Sequence, residues 1–132
     1  MTRHIILLAL LLTSCGLDMP CARYDADAMS EERAMLNDLA TVFVDLGYGE
    51  PCCPVHFCRE NEPCQDLVKY CGMAHLRGGE CVEIFVDAAR YYCINPARTS
   101  AHEWLHAIGY MHGAAMDRAQ DEILNEYERR NP

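Results

Sequence analysis

Eleven consecutive residues constrain this chain more than all the others: His102-Glu103-Trp104-Leu105-His106-Ala107-Ile108-Gly109-Tyr110-Met111-His112. They read H-E-x-x-H-x-x-G-x-x-H. On a helix, His102 and His106 lie one turn apart and share a face. Two imidazoles so placed grip one Zn²⁺. Glu103 follows the first ligand and stands beside the metal, the position of a general base acting on water held there. Gly109 lets the chain leave the helix through a left-handed turn at little cost. His112 then returns as a third ligand, and a fourth position stays open, as in a catalytic zinc site. A chain this short matches the full pattern by chance on the order of 10⁻⁴ times. The fold must therefore contain a helix through His102 and His106, a glycine exit and a return.

The flanking sequence supplies that helix. Asn95-Pro96 reads as an N-cap followed by proline at the first helical position. The helix is expected over Pro96 to Ile108, with Trp104, Leu105 and Ile108 burying its other side. Glu80 to Asp87 alternates Val82, Ile84 and Val86, a strand. Ala88-Ala89-Arg90 turns, and Tyr91 to Ile94 is expected to pair back as a hairpin. Asp117 to Arg130 reads as a last helix, with an acid near its start, two arginines at its end and Ile123, Leu124 and Tyr127 as its stripe. Upstream, Ser30 reads as the N-cap of a helix to Gly47, with Met35, Leu36, Leu39, Val42, Phe43 and Leu46 at helical spacing. The residues between Gly49 and Gly79 read as loops tied by cysteines, with a short helical turn at Gln65 to Cys71. His56 and His75 fall there and are read as loop histidines.

His102, Glu103, His106, Gly109 and His112 resemble the long zinc signature of the metzincin metallopeptidases. Looser likeness runs over Val82 to Arg130, where strand, active-site helix, turn and C-terminal helix follow in that family's order. The resemblance implies zinc on His102, His106 and His112, Glu103 as general base, and a methionine-containing turn beneath the metal. Met116 is the candidate, being the only methionine after His112. The connection to it is shorter than the family's. The resemblance also implies a strand that lines the substrate cleft, a part given to Cys81–Ile94 by adding a peptide as a further strand. The expected fold class is α+β: a small disulfide-rich, metzincin-like zincin domain with an active-site helix, a few-stranded sheet and a C-terminal helix.

The N-terminus reads as a targeting segment. Arg3 and His4 precede an apolar run from Ile5 to Leu12, too short to span a bilayer as a mature helix. Leu12-Thr13-Ser14-Cys15 resembles the lipobox of bacterial lipoproteins. That implies cleavage before Cys15, lipid on Cys15 and, with Gly16 next, an outer-membrane or cell-surface anchor. The alternative is a plain secretory signal. Residues 1–14 are thus signal peptide, 15–28 a lipid-anchored tether and 29–132 the domain. Of nine cysteines, removing Cys15 leaves an even set: Cys21, Cys52, Cys53, Cys58, Cys64, Cys71, Cys81 and Cys93. In an exported chain this reads as a disulfide framework, with adjacent Cys52 and Cys53 bonded to different partners. The competing reading is a structural zinc on Cys52, Cys53, His56 and Cys58.

Charge narrows the function classes. The chain has 11 basic and 20 acidic side chains, a net charge of −9. No basic cluster exists to neutralise phosphates, so nucleic acid is not an expected partner. The sequence therefore points to a lipid-anchored zinc endopeptidase of the bacterial envelope, with a peptide or protein as substrate and the membrane as second partner. The alternative is a zinc-binding, non-catalytic envelope lipoprotein or inhibitory module of peptidase ancestry. Zinc binding alone does not require Glu103, which favours the enzyme.

Overall fold

The computed structural model describes residues 21–61, 64, 70–90 and 92–132. The signal peptide, Cys15 and the helical turn expected at Gln65 to Cys71 lie wholly or largely outside them. Among the described residues the fold is α+β, with three helices and one three-stranded sheet. In chain order these are α1 (Ser30–Asp45), β1 (Val55–Cys58), β2 (Gly72–Arg77), β3 (Glu80–Asp87), α2 (Pro96–Ala107) and α3 (Ala114–Arg130).

The sheet corrects the sequence reading at three points. Its order is β1-β3-β2, with β1 parallel and β2 antiparallel to β3. Two of its strands fall in the stretch read as loops. The hairpin joins β2 to β3 through Gly78-Gly79, both with positive φ (61° and 82°). That geometry belongs to the two-residue turns whose twist matches paired strands. Tyr92 to Ile94 does not pair back onto β3. The buried Asp87 carboxylate accepts from the N–H groups of Ala89 and Arg90 and pairs with the Arg90 guanidinium at 2.8 Å. This turn aims the chain away from the sheet, and the Cys71–Cys93 disulfide pins it at the start of β2.

Helix boundaries shift for local reasons. Met29, not Ser30, occupies the N-cap of α1; its N–H donates to Glu32 Oε1 at 2.8 Å, and the Arg59 guanidinium pairs with the same carboxylate. α2 begins as expected, with the Asn95 side chain accepting from Arg98 N–H and Pro96 inside the first turn. It ends one residue early, because Ile108 is its C-cap and is 39% exposed rather than buried. Ala97 and Ala101 fill the buried stripe with Trp104 and Leu105 instead. α3 starts at Ala114, three residues before the expected Asp117, directly after Gly113.

One core joins these elements. Leu36, Leu39 and Phe43 of α1, Val55 of β1, Ile84 and Val86 of β3, Trp104 and Leu105 of α2, and Ile123 of α3 are fully buried in it. The Trp104 indole meets Phe43 edge-on at 5.6 Å and donates to the Cys53 carbonyl at 3.0 Å. Four disulfides tie the chain: Cys21–Cys52, Cys53–Cys81, Cys58–Cys64 and Cys71–Cys93. Cys52 and Cys53 do bond to different partners. This removes the structural-zinc reading, since its three thiols are consumed and His56 Nδ1 pairs with Asp25 at 2.6 Å. The part of the expected tether that is described, Cys21 to Ala28, is bound to the domain. Besides its disulfide, Tyr24 bridges to Val55, the Arg23 carbonyl accepts from Val55 N–H, and Ala28 is buried.

Candidate metal centre

Helix α2 presents two opposed faces. Ala101, Trp104 and Leu105 point into the core, while Thr99, His102, Glu103 and His106 face a cleft. The exit from α2 brings the third histidine round. Gly109 has φ 104°. Its N–H donates to the His106 carbonyl at 3.0 Å, and Tyr110 N–H to the Leu105 carbonyl at 2.9 Å. These two bonds form a Schellman turn, which needs a left-handed residue at Gly109. The chain then reverses, and His112 Nε2 comes to rest 3.2 Å from His102 Nε2 and 3.0 Å from His106 Nε2.

Those separations fit a shared metal. Tetrahedral ligands at roughly 2.0–2.1 Å from an ion lie about 3.3 Å from one another. All three ligand atoms fall within 4.8 Å of each other, His102 and His106 half-buried and His112 exposed. The far sides of two rings are also held. His106 Nδ1 lies 2.9 Å from the Tyr110 carbonyl, which can only accept, so the Nδ1–H donates and Nε2 is left bare. His102 Nδ1 lies 2.7 Å from one end of the Gln120 side-chain amide on α3, whose oxygen in that place accepts from an Nδ1–H in the same way. A partner on the second nitrogen fixes both tautomer and ring angle of a metal-binding histidine.

Gln120 has a second neighbour. The other end of its amide lies 3.0 Å from Arg98 Nη2 and 3.3 Å from Arg98 Nε. With its carbonyl toward His102 it secures the metal-binding tautomer, and its NH₂ then faces the guanidinium. Turned over, the carbonyl would accept from Arg98 instead. The sequence reading missed Gln120. Its one signal is its spacing, one turn after Met116 on the buried face of α3.

Glu103 is buried beside the trio. Burial raises its carboxyl pKa, opposed by the nearby His106, by the Ala74 N–H and by His112. Glu103 lies against β2. Gly72 sets how close that strand comes: a Cβ there would lie 2.5 Å from Thr99 Cγ2 and 3.0 Å from Glu103 Cγ and Oε1. The requirement is for space rather than for an unusual φ.

The cleft has two arms that meet at His102 and Glu103. One, about 380 Å³, runs past Cys71–Cys93, Ile94 and Arg98. The other, about 500 Å³, runs past Met73, Leu76, Tyr110 and Met111. Tyr70 and Gly72 border both. β2 is the wall, which corrects the part given to Cys81–Ile94. β3 is paired on both sides, whereas β2 is an edge strand whose outer side carries no strand among the described residues.

The structure thus brings together His102, Glu103, His106 and His112. It places Met116 elsewhere in kind, in the first turn of α3 rather than in a loop, and almost fully buried in the core. Ala114 and Ala115 carry the helix back almost to His112, leaving no room for a separate turn. The trio can hold a metal ion, with an acid at its side and a cleft in front. No protein-family model matches the chain, and neither does any curated protein or solved structure.

Proposed function

We propose that the chain is a zinc endopeptidase with a metzincin-like site. One observation carries this reading: three imidazole Nε2 atoms converge beside the buried Glu103 carboxyl, where the two cleft arms meet. Three nitrogen ligands with an open fourth position suit zinc in its catalytic form. Zinc there would supply Lewis-acid chemistry, activating a water and polarising the scissile carbonyl.

The chain's own residues do the rest. Glu103 takes a proton from the attacking water and returns it to the leaving amine. The outer edge of β2 receives an extended peptide as an added strand, with main-chain hydrogen bonds that do not depend on sequence. Gly72 lets that strand lie against α2, so the peptide passes directly over Glu103. Tyr110, through its carbonyl, and Gln120 hold His106 and His102 in the ligating tautomer.

The decisive comparison is Glu103→Gln against the parent. Metal content should stay near one per chain, while hydrolysis of an unfolded protein such as casein should fall at least about 10²-fold. Equal cleavage by both would sink the mechanism. A second reading, a zinc-binding module without turnover, draws on the absence of a methionine turn between His112 and α3. In that case the parent itself would bind metal and cleave nothing.

The same proposal puts the domain on the bacterial envelope, held by lipid on Cys15. Among the described residues no helix is long and apolar enough to cross a membrane. Cys15→Ser should move the protein from the membrane fraction to the soluble one, and an unchanged distribution would refute the anchor.

A further inference from the structure

No ion pair among the described residues accounts for the position of Arg98. It stands in the first turn of α2, where no acidic residue is found. A cation there opposes the helix dipole and destabilises the helix slightly. Among the described residues it forms no ion pair, although the chain carries 20 acidic side chains. Its guanidinium lies beside the Gln120 amide, 3.0 Å from Nη2 and 3.3 Å from Nε. When the Gln120 carbonyl serves His102 Nδ1–H, as metal ligation through Nε2 requires, the group facing Arg98 is an NH₂. A guanidinium has five N–H donors and no acceptor, so in the metal-bound form it is left without an acceptor.

The surroundings say what would supply one. Arg98 lines the smaller cleft arm, and Glu103 is the single acidic residue lining either arm among the described residues. Among the described residues, then, the cleft of this acidic protein holds one acid, Glu103, and an arginine with no ion pair. Tyr70 and Ile94, both largely exposed, border the same arm as apolar surface. Arg98 precedes His102 by four residues, about 6 Å along the helix axis. An extended peptide advances about 3.3 Å per residue. A group held by Arg98 is therefore one or two residues from the bond over the metal centre.

Resting on the peptidase reading, we propose that Arg98 is a specificity-determining residue that recognises a carboxylate one or two residues from the scissile bond. The carboxylate belongs either to an aspartate or glutamate side chain or to the substrate's own C-terminus. Both offer two coplanar oxygens to the guanidinium fork. The alternative role for Arg98 is positioning, acting on His102 through Gln120, and the two roles move different observables.

The test uses the full chain loaded with zinc and carrying Glu103→Gln, so that binding is read without turnover. Fluorescent octapeptides with glutamate at successive positions are titrated against their glutamine counterparts, each with a free and with an amidated C-terminus. A charge-assisted contact should favour one carboxylate position by about 10- to 100-fold. The internal-glutamate and free-terminus arms show which source of carboxylate is read. Adding Arg98→Gln should abolish the preference with zinc affinity unchanged, and Arg98→Lys should restore part of it. A preference that survives Arg98→Gln overturns the proposal, as does equal binding of charged and neutral peptides. A loss of zinc affinity in Arg98→Gln with the preference intact assigns Arg98 the positioning role and also overturns it. The two readings fail separately. A parent that cleaves peptides without any carboxylate preference keeps the peptidase reading and loses this one. A parent that cleaves nothing, yet binds the acidic peptide through Arg98, loses the peptidase reading and keeps only carboxylate recognition by Arg98.

Discussion

The two faces of α2 are built on different principles. The inner face is apolar and redundant: Trp104 and Leu105 are fully buried among side chains from every other helix and from β1 and β3. No single neighbour decides where they sit. The outer face is polar and singly determined. His102 depends on Gln120 from α3, His106 on the Tyr110 carbonyl beyond the helix end, and Glu103 on the space that Gly72 of β2 leaves for it. Each of these residues has one support, and each support comes from a different element. The contrast teaches that stability and site geometry are separable here. One helix is anchored by packing and carries a site aimed by hydrogen bonds.

The strongest way to break that separation is at Trp104. Trp104→Ala removes the largest fully buried side chain together with its bond to the Cys53 carbonyl. The expected loss is about 3–5 kcal/mol of folding stability. Denaturant unfolding of the metal-free protein measures it. Zinc affinity of the molecules that remain folded should stay within about threefold of the parent, because the metal ligands do not depend on Trp104. A collapse of metal affinity with stability intact would reverse the comparison.

This division also explains what was legible in the sequence. Everything needed for the histidine trio lies in eleven residues plus an N-cap, and local geometry decides it. Asn95, Pro96 and Gly109 specify where α2 begins and how the chain leaves it, so the convergence of three histidines beside Glu103 was legible without a fold. The supports could not be named, because they arrive over long range. Gln120 is eighteen residues beyond His102, and only its spacing from Met116 distinguishes it from a surface glutamine. β2 does not show in the sequence because Gly72-Met73-Ala74-His75-Leu76-Arg77 lacks an apolar alternation. Its burial comes only from lying between β3 and α2. The Gly78-Gly79 pair was the available signal for its hairpin. β1 was too short, and too crowded by Pro54 and cysteines, to read as a strand. Met116 failed differently: the resemblance implied a turn, but two alanines before it propagate helix.

Gly72 tests the seam between the two regions. Gly72→Ala puts a methyl group 2.5 Å from Thr99 Cγ2 and against Glu103. Either β2 moves away from α2 or Glu103 turns aside. Overpacking of this kind costs about 1–3 kcal/mol, less than the loss at Trp104. Hydrolysis should nevertheless fall at least about tenfold, since a general base works only within hydrogen-bond reach of its proton. Zinc should remain bound. Thermal unfolding, metal content and cleavage rate measured on one preparation settle it. Unchanged cleavage would mean that β2 does not set the position of Glu103.

The smallest effect on stability and the sharpest on the site are expected together at Gln120. Gln120→Met keeps the length and most of the volume of the side chain but removes its carbonyl. The core around Met116, Ala119 and Ile123 should tolerate the change, with a loss of about 1 kcal/mol for one hydrogen bond. His102 is affected more. Its Nδ1–H loses its acceptor, the ring is free to turn, and the tautomer protonated at Nε2 competes with metal binding. Loss of such a partner weakens metal affinity by about 10- to 100-fold. Competition against a chromogenic zinc chelator measures that, and chemical unfolding of the metal-free protein measures the stability. Trp104→Ala and Gln120→Met should therefore form a crossed pair, one lowering stability at constant metal affinity and the other lowering metal affinity at nearly constant stability. If Gln120→Met instead destabilises the metal-free fold as much as Trp104→Ala, then Gln120 is a core residue that happens to touch His102. The polar face of α2 would then not be a separately supported site.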